Sequence, residues 1–133
     1  MAASPDPIAT AFALRELGAV VQNSHTGDVI HIDFRPMANG ANDEEVAQLP
    51  VFTKLRELYL AKTGVTNEGL KIIGGLRSLR LLDLSATAVS DAGLVHLENL
   101  DQLQMLILSG TRVTREGVKP LRQKLLGTRI VLL

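Results

Sequence analysis

Apolar and polar residues alternate in a pattern that recurs along the chain. Leu55-Arg56-Glu57-Leu58-Tyr59-Leu60 is echoed by Leu79-Arg80-Leu81-Leu82-Asp83-Leu84 and by Leu103-Gln104-Met105-Leu106-Ile107-Leu108, each 24 residues after the last. The same phase carries Thr63, Thr87, Thr111; Val65, Val89, Val113; Thr66, Ser90, Thr114; Gly69, Gly93, Gly117; and Leu70, Leu94, Val118. Period-2 alternation at Leu58 and Leu60 predicts a short strand with one buried face. The later spacing of Leu70 and Ile73 puts both on one face of a helix. Each unit is therefore strand, turn, helix, and no unit can bury its apolar side alone. Neighbours must stack, with strands paired in parallel and helices on the other surface.

Less regular copies flank these three. Val29-Ile30-His31-Ile32-Asp33-Phe34 reads as a strand, followed by Val46, Leu49 and Phe52 in the helical slots. Its offset to the next unit is 26, with the excess in Arg35 to Ala41. Adding 24 to Leu103 reaches Gly127 and makes Ile130 and Leu132 inward residues of a closing strand, with Val131 and Leu133 on its other side. Strands are expected near 30–34, 57–60, 81–84, 105–108 and 129–132. A solenoid needs end caps. Asp6-Pro7 starts a cap helix over residues 6–18 that turns Ile8, Phe12, Ala13 and Leu17 inward. Val20-Val21 adds a short strand, and Asn23 to Asp28 a turn. Thr66, Ser90 and Thr114 are the expected helix N-caps, and Asn42 with Glu45 has capping-box spacing. The threonines at 63, 87 and 111 are expected to satisfy buried turn amides. Pro120, inside the fourth helix, removes a backbone donor and predicts an irregularity there.

The columns resemble the leucine-rich repeat family, in the form L-x-x-L-x-L-x-x-T-x-V-T/S-x-x-G-L-x-x-L, and are similar to short bacterial proteins with a T-x-V-T-D-x-G-L signature. The resemblance covers Val29 to Leu133. It implies an α/β fold, a right-handed β/α leucine-rich repeat solenoid with its parallel sheet on the concave face and helices on the convex face. Residues 1–27 would form a capping helix and turn, and 28–133 four units plus a closing strand, as one structural domain. The resemblance also implies a non-enzymatic module that binds a protein or peptide.

Composition narrows the partner. Fourteen Lys and Arg balance 14 Asp and Glu, so the whole chain offers no positive field for nucleic acid or anionic lipid. Aromatic content of 3% leaves little to stack on single strands. Cysteine is absent, which excludes thiolate zinc sites and a cysteine nucleophile. No run approaches the roughly 18 apolar residues of a membrane span. Met1 to Val21 does not read as a secretory signal, having no Lys or Arg before Arg15. A cytoplasmic location is the one favoured, and no cofactor is expected.

Side chains pointing away from the core line the concave sheet face. One column is His31, Glu57, Leu81, Met105, and its neighbour is Asp33, Tyr59, Asp83, Ile107. These eight are the candidate partner-binding residues. The first half reads as polar and acidic, while Leu81, Met105 and Ile107 expose apolar surface. Arg56, Arg80, Arg35 and Lys62 read as a solvated rim. His25 falls in a turn and His96 on the outer face of the third helix. Two alternatives stand beside the binding module: a metal-dependent hydrolase using His31, Asp33 and Glu57, and a structural protein that self-associates through its C-terminal edge strand.

Overall fold

A computed structural model describes residues 6–37 and 40–133. Its elements follow one another as α1 (Pro7–Glu16), β1 (Val20–Asn23), β2 (Val29–Asp33), α2 (Asp43–Val46), a 3-10 turn (Leu49–Val51), β3 (Glu57–Tyr59), α3 (Asn67–Ile73), β4 (Leu81–Asp83), a 3-10 helix (Asp91–Leu97), β5 (Met105–Ile107), α4 (Arg115–Lys124) and β6 (Arg129–Val131). One six-stranded sheet runs in sequence order; β1 pairs antiparallel to β2, and every later pair is parallel. The register matches the sequence columns. His31, Glu57, Leu81, Met105 and Arg129 lie side by side, as do Asp33, Tyr59, Asp83, Ile107 and Val131.

Between those two rows the strands turn Ile32, Leu58, Leu82, Leu106 and Ile130 into the core, the first four fully shielded from solvent. The helical segments answer with Val46, Leu70, Ile73, Leu94, Leu97, Val118 and Leu121. With period 2 in the strand and near 3.6 in the helix, both elements aim an aliphatic stripe at the same layer. Leu132, expected inward, is partly buried against the core.

The cap helix forms where expected, with Pro7 at its start and Asp6 Oδ1 accepting from the Ile8 amide at 2.9 Å. Its rotation differs from the expectation. Ala11 and Leu14 pack inward, while Ile8, Phe12, Ala13 and Leu17 face solvent, Ile8 at 82% and Phe12 at 63% exposure. Apolar residues lie all round this short helix, so spacing selects no face; contact with β1 and the first unit selects one. Arg15 holds the packing by donating to the Val21 carbonyl at 2.9 Å.

Two further expectations change. The threonine column donates to carbonyls three residues back, Thr63 to Leu60 and Thr87 to Leu84 at 2.7 Å and Thr111 to Leu108 at 2.6 Å; among the described residues only Thr111 also receives an amide, from Val113. Thr66, Thr114 and Asn42 cap their helices, the last in a full capping box, but Ser90 makes no capping bond. Its hydroxyl instead accepts from Asn67 Nδ2 at 2.9 Å. α4 runs as one helix from Arg115 to Lys124, with Pro120 inside it.

The Ser90 contact belongs to a ladder that the sequence reading missed. Asp43 accepts from the Thr66 amide (2.9 Å) and hydroxyl (2.5 Å), Asn67 from the Ser90 amide (3.0 Å), and Asp91 from the Thr114 amide (2.8 Å) and hydroxyl (2.6 Å). Each first helical residue thus ties its unit to the next. Those side chains lie where a Cβ on Gly69, Gly93 or Gly117 would have to be, which is why that column is glycine. The signal was available as an acceptor recurring every 24 residues at 43 + 24 and 67 + 24.

Candidate functional site

The concave face is built by the outward residues of β1 to β6. Parallel pairing sets neighbours about 4.8 Å apart, so each row is continuous. β1 extends both rows, Gln22 opposite His31 and Val20 opposite Asp33, and β6 adds Arg129 and Val131. The eight candidate residues therefore share one surface.

Their electrostatics differ from an acidic half. His31 Nδ1 lies 2.8 Å from Glu57 Oε1. Arg35, expected as solvated rim, folds back over the face: its backbone amide and Nε each donate to Asp33 Oδ1 at 2.9 Å, and a terminal nitrogen donates to Oδ2 at 2.8 Å. The same guanidinium sits 4.5 Å from the Tyr59 ring centre, a cation over an aromatic face. The His31 and Tyr59 rings are 5.2 Å apart and tilted by 45°. The Arg35 side-chain bond holds the Asp33 carboxyl below its ordinary pKa, and Asp33 in turn raises that of Arg35. Burial, then the charge of Glu57, pushes the Tyr59 hydroxyl up. Asp83 is buried and accepts from the Ser85 hydroxyl at 2.6 Å and amide at 2.9 Å. Two of the three carboxylates are thus matched to a neighbouring side chain of basic type, and the third is taken by a turn. The face is polar and internally paired rather than a free acidic field.

Leu81, Met105 and Ile107 form the other half and are half-buried, less exposed than the sequence reading had them. A groove of about 430 Å³ runs along the first of the two rows and is lined by His31, Glu57, Leu81 and Met105 together with Gln22, Arg56, Arg80 and Gln104. Arg56 and Arg80 form no ion pair among the described residues. A second, smaller cavity of about 170 Å³ lies beside α1, between Ile8, Ala11, Val51 and Phe52.

Among the described residues no group of three or more His, Asp or Glu side chains is placed to hold a metal ion. The hydrolase reading needed His31, Asp33 and Glu57 to converge, but Asp33 is turned to Arg35 and only His31 and Glu57 meet. His25 is exposed and His96 half-buried, both away from the sheet face. No helix among the described residues is long and apolar enough to cross a membrane.

A family model described as Leucine Rich repeat matches residues 53–74. No curated protein matches the chain. Among solved structures, a leucine-rich repeat protein of Leptospira interrogans is similar, at 21% identity and a TM-score of 0.46, over 63% of this chain. This chain spans 27% of the length of that one.

Proposed function

We propose that the chain, whose 24-residue repeats stack as strand–helix units and whose residues 53–74 match a leucine-rich repeat model, is a non-enzymatic interaction module that holds an extended segment of another protein, or a peptide, on its concave sheet. In this reading residues 1–27 serve as the cap and 28–133 as the repeat body. The carrying observation is the juxtaposition of Leu81, Met105 and Ile107, half-buried on adjacent strands, with the ordered polar cluster of His31, Asp33, Glu57, Tyr59 and Asp83. Aliphatic surface supplies most of the contact energy, and the fixed polar groups set orientation. By area, each further ~40 Å² of apolar surface buried on these side chains is worth roughly 1 kcal/mol at about 25 cal/mol per Å². Arg35 contributes by holding Asp33 and Tyr59 in place before any partner arrives, which lowers the ordering cost of binding.

The test is affinity capture from native lysate with three baits: wild type, Leu81→Glu with Met105→Glu, and the convex-face control Val95→Glu. Proteins retained by wild type and by the control should be lost from the double variant, with the melting temperatures of all three baits similar. Retention by the double variant at wild-type levels would move the site off the concave face.

A further inference from the structure

The net charge of zero conceals a polarity. Residues 1–53 carry two basic and seven acidic side chains, net −5; residues 54–101 carry six of each; residues 102–133 carry six basic and one acidic, net +5. In a globular fold such blocks would intermingle. Here the sheet runs in sequence order, so they stay at opposite ends. Five inter-strand steps of about 4.8 Å separate β1 from β6 by about 24 Å, roughly three screening lengths at physiological salt. A molecule approaching either end meets the local charge, not the sum.

Among the described residues no ion pair links the acidic block to the basic one. The ion pairs among the described residues are local ones: His31 with Glu57, Arg35 with Asp33, Lys71 with Glu68, and Lys119 with Glu116. At the basic end, Arg115, Lys119 and Arg122 are exposed and recur at helical spacing, so they form one row along α4. That row lies across the helix from Gly117 and Pro120, which face the preceding 3-10 helix. Arg115 is also the fourth member of the ladder column. Asp43, Asn67 and Asp91 accept bonds from the unit that follows them, whereas a guanidinium has no acceptor to offer. The column therefore changes from joining repeats to presenting a cation. Each end also carries bare apolar surface: Leu126 is 86% exposed in the basic block, and Ile8 and Phe12 are exposed in the acidic one.

We propose that copies of this chain associate head to tail, the basic α4 end of one against the acidic α1 end of the next. Complementary charge selects this arrangement over a symmetric contact, which would set +5 against +5 or −5 against −5. It therefore also replaces the pairing of β6 with its own copy. A heterologous contact of this kind does not close on itself with two members, so it builds open chains or a ring. The surface is distinct from the concave groove, which stays accessible along each copy.

Sedimentation velocity of the full chain reads this directly. Wild type at low salt should show species heavier than monomer that grow with concentration and dissociate in about 0.5 M salt, where the screening length is only a few ångströms. Arg115→Glu with Arg122→Glu brings the basic end from +5 to +1, and Glu16→Arg with Asp28→Arg brings the acidic end from −5 to −1; all four side chains are exposed. Each double variant alone should sediment as monomer with a far-ultraviolet spectrum like wild type. Mixed, they retain one intact basic end and one intact acidic end between them, and should form a 1:1 dimer that grows no further. The proposal is overturned by a wild type that stays monomeric at low salt, by variants that associate like wild type, or by a mixture that remains monomeric.

Discussion

Gly93→Ala tests whether the ladder and the glycine column are one device. Gly93 has no left-handed backbone requirement, so alanine is not excluded by φ. Its new Cβ would instead fall on Asn67 Oδ1 and lie 2.7 Å from Leu70 Cδ1. Making room displaces Asn67, which receives the Ser90 amide at 3.0 Å and donates to the Ser90 hydroxyl at 2.9 Å. Two lost hydrogen bonds cost about 1–3 kcal/mol together. Crowding against Leu70 adds about 1–2 kcal/mol, and the lower chain entropy of alanine returns about 0.5–1 kcal/mol. The net expectation is a loss of about 2–3 kcal/mol, read from urea denaturation followed by circular dichroism. Asn67→Ala alone should lose the two bonds and little else. In the double variant the methyl group has no amide to displace, so its stability should fall within about 1 kcal/mol of Asn67→Ala, giving a coupling of roughly 1–2 kcal/mol. A neutral or stabilising Gly93→Ala, or strict additivity in the cycle, would refute the claim that the glycine exists to admit the neighbouring unit's side chain.

Leu82→Ala should cost about 2–5 kcal/mol, since it empties a fully buried core position, whereas Leu81→Ala, on the concave face, should cost well under half of that; the reverse order in chemical denaturation would mean the register is off by one. Arg35→Ala should destabilise by up to about 1 kcal/mol at neutral pH, because the pair is partly exposed. The sign follows from Asp33: its folded pKa is lowered, so the stabilisation is present above the ordinary carboxylate range and lost as pH falls through the folded value. The gap between wild type and Arg35→Ala should accordingly close as the pH falls below the ordinary carboxylate range, and a gap that widened there would show that Arg35 acts by some route other than Asp33.

The 24-residue columns determined the strand–helix units, their order and the parallel register, because a unit with apolar residues at period 2 and then at helical spacing has only one way to bury both. They likewise placed His31, Glu57, Leu81 and Met105 in one row and Asp33, Tyr59, Asp83 and Ile107 in the next, since outward positions follow from inward ones. The rotation of α1 was not legible: Ile8, Ala11, Phe12, Leu14 and Leu17 offer apolar surface on every side, and only the neighbour it packs against picks Ala11 and Leu14. Nor was the pairing of the concave charges, because Arg35 reaches Asp33 and Tyr59 through the path of the chain after β2, where the repeat is two residues longer than its neighbours. The roles of Ser90, Asn67 and Gly93 depend on contacts across 23 to 26 residues, and a column names the residue type but not the group it meets. Periodicity fixes which way a side chain points within its own unit; what it touches is decided by the unit stacked beside it.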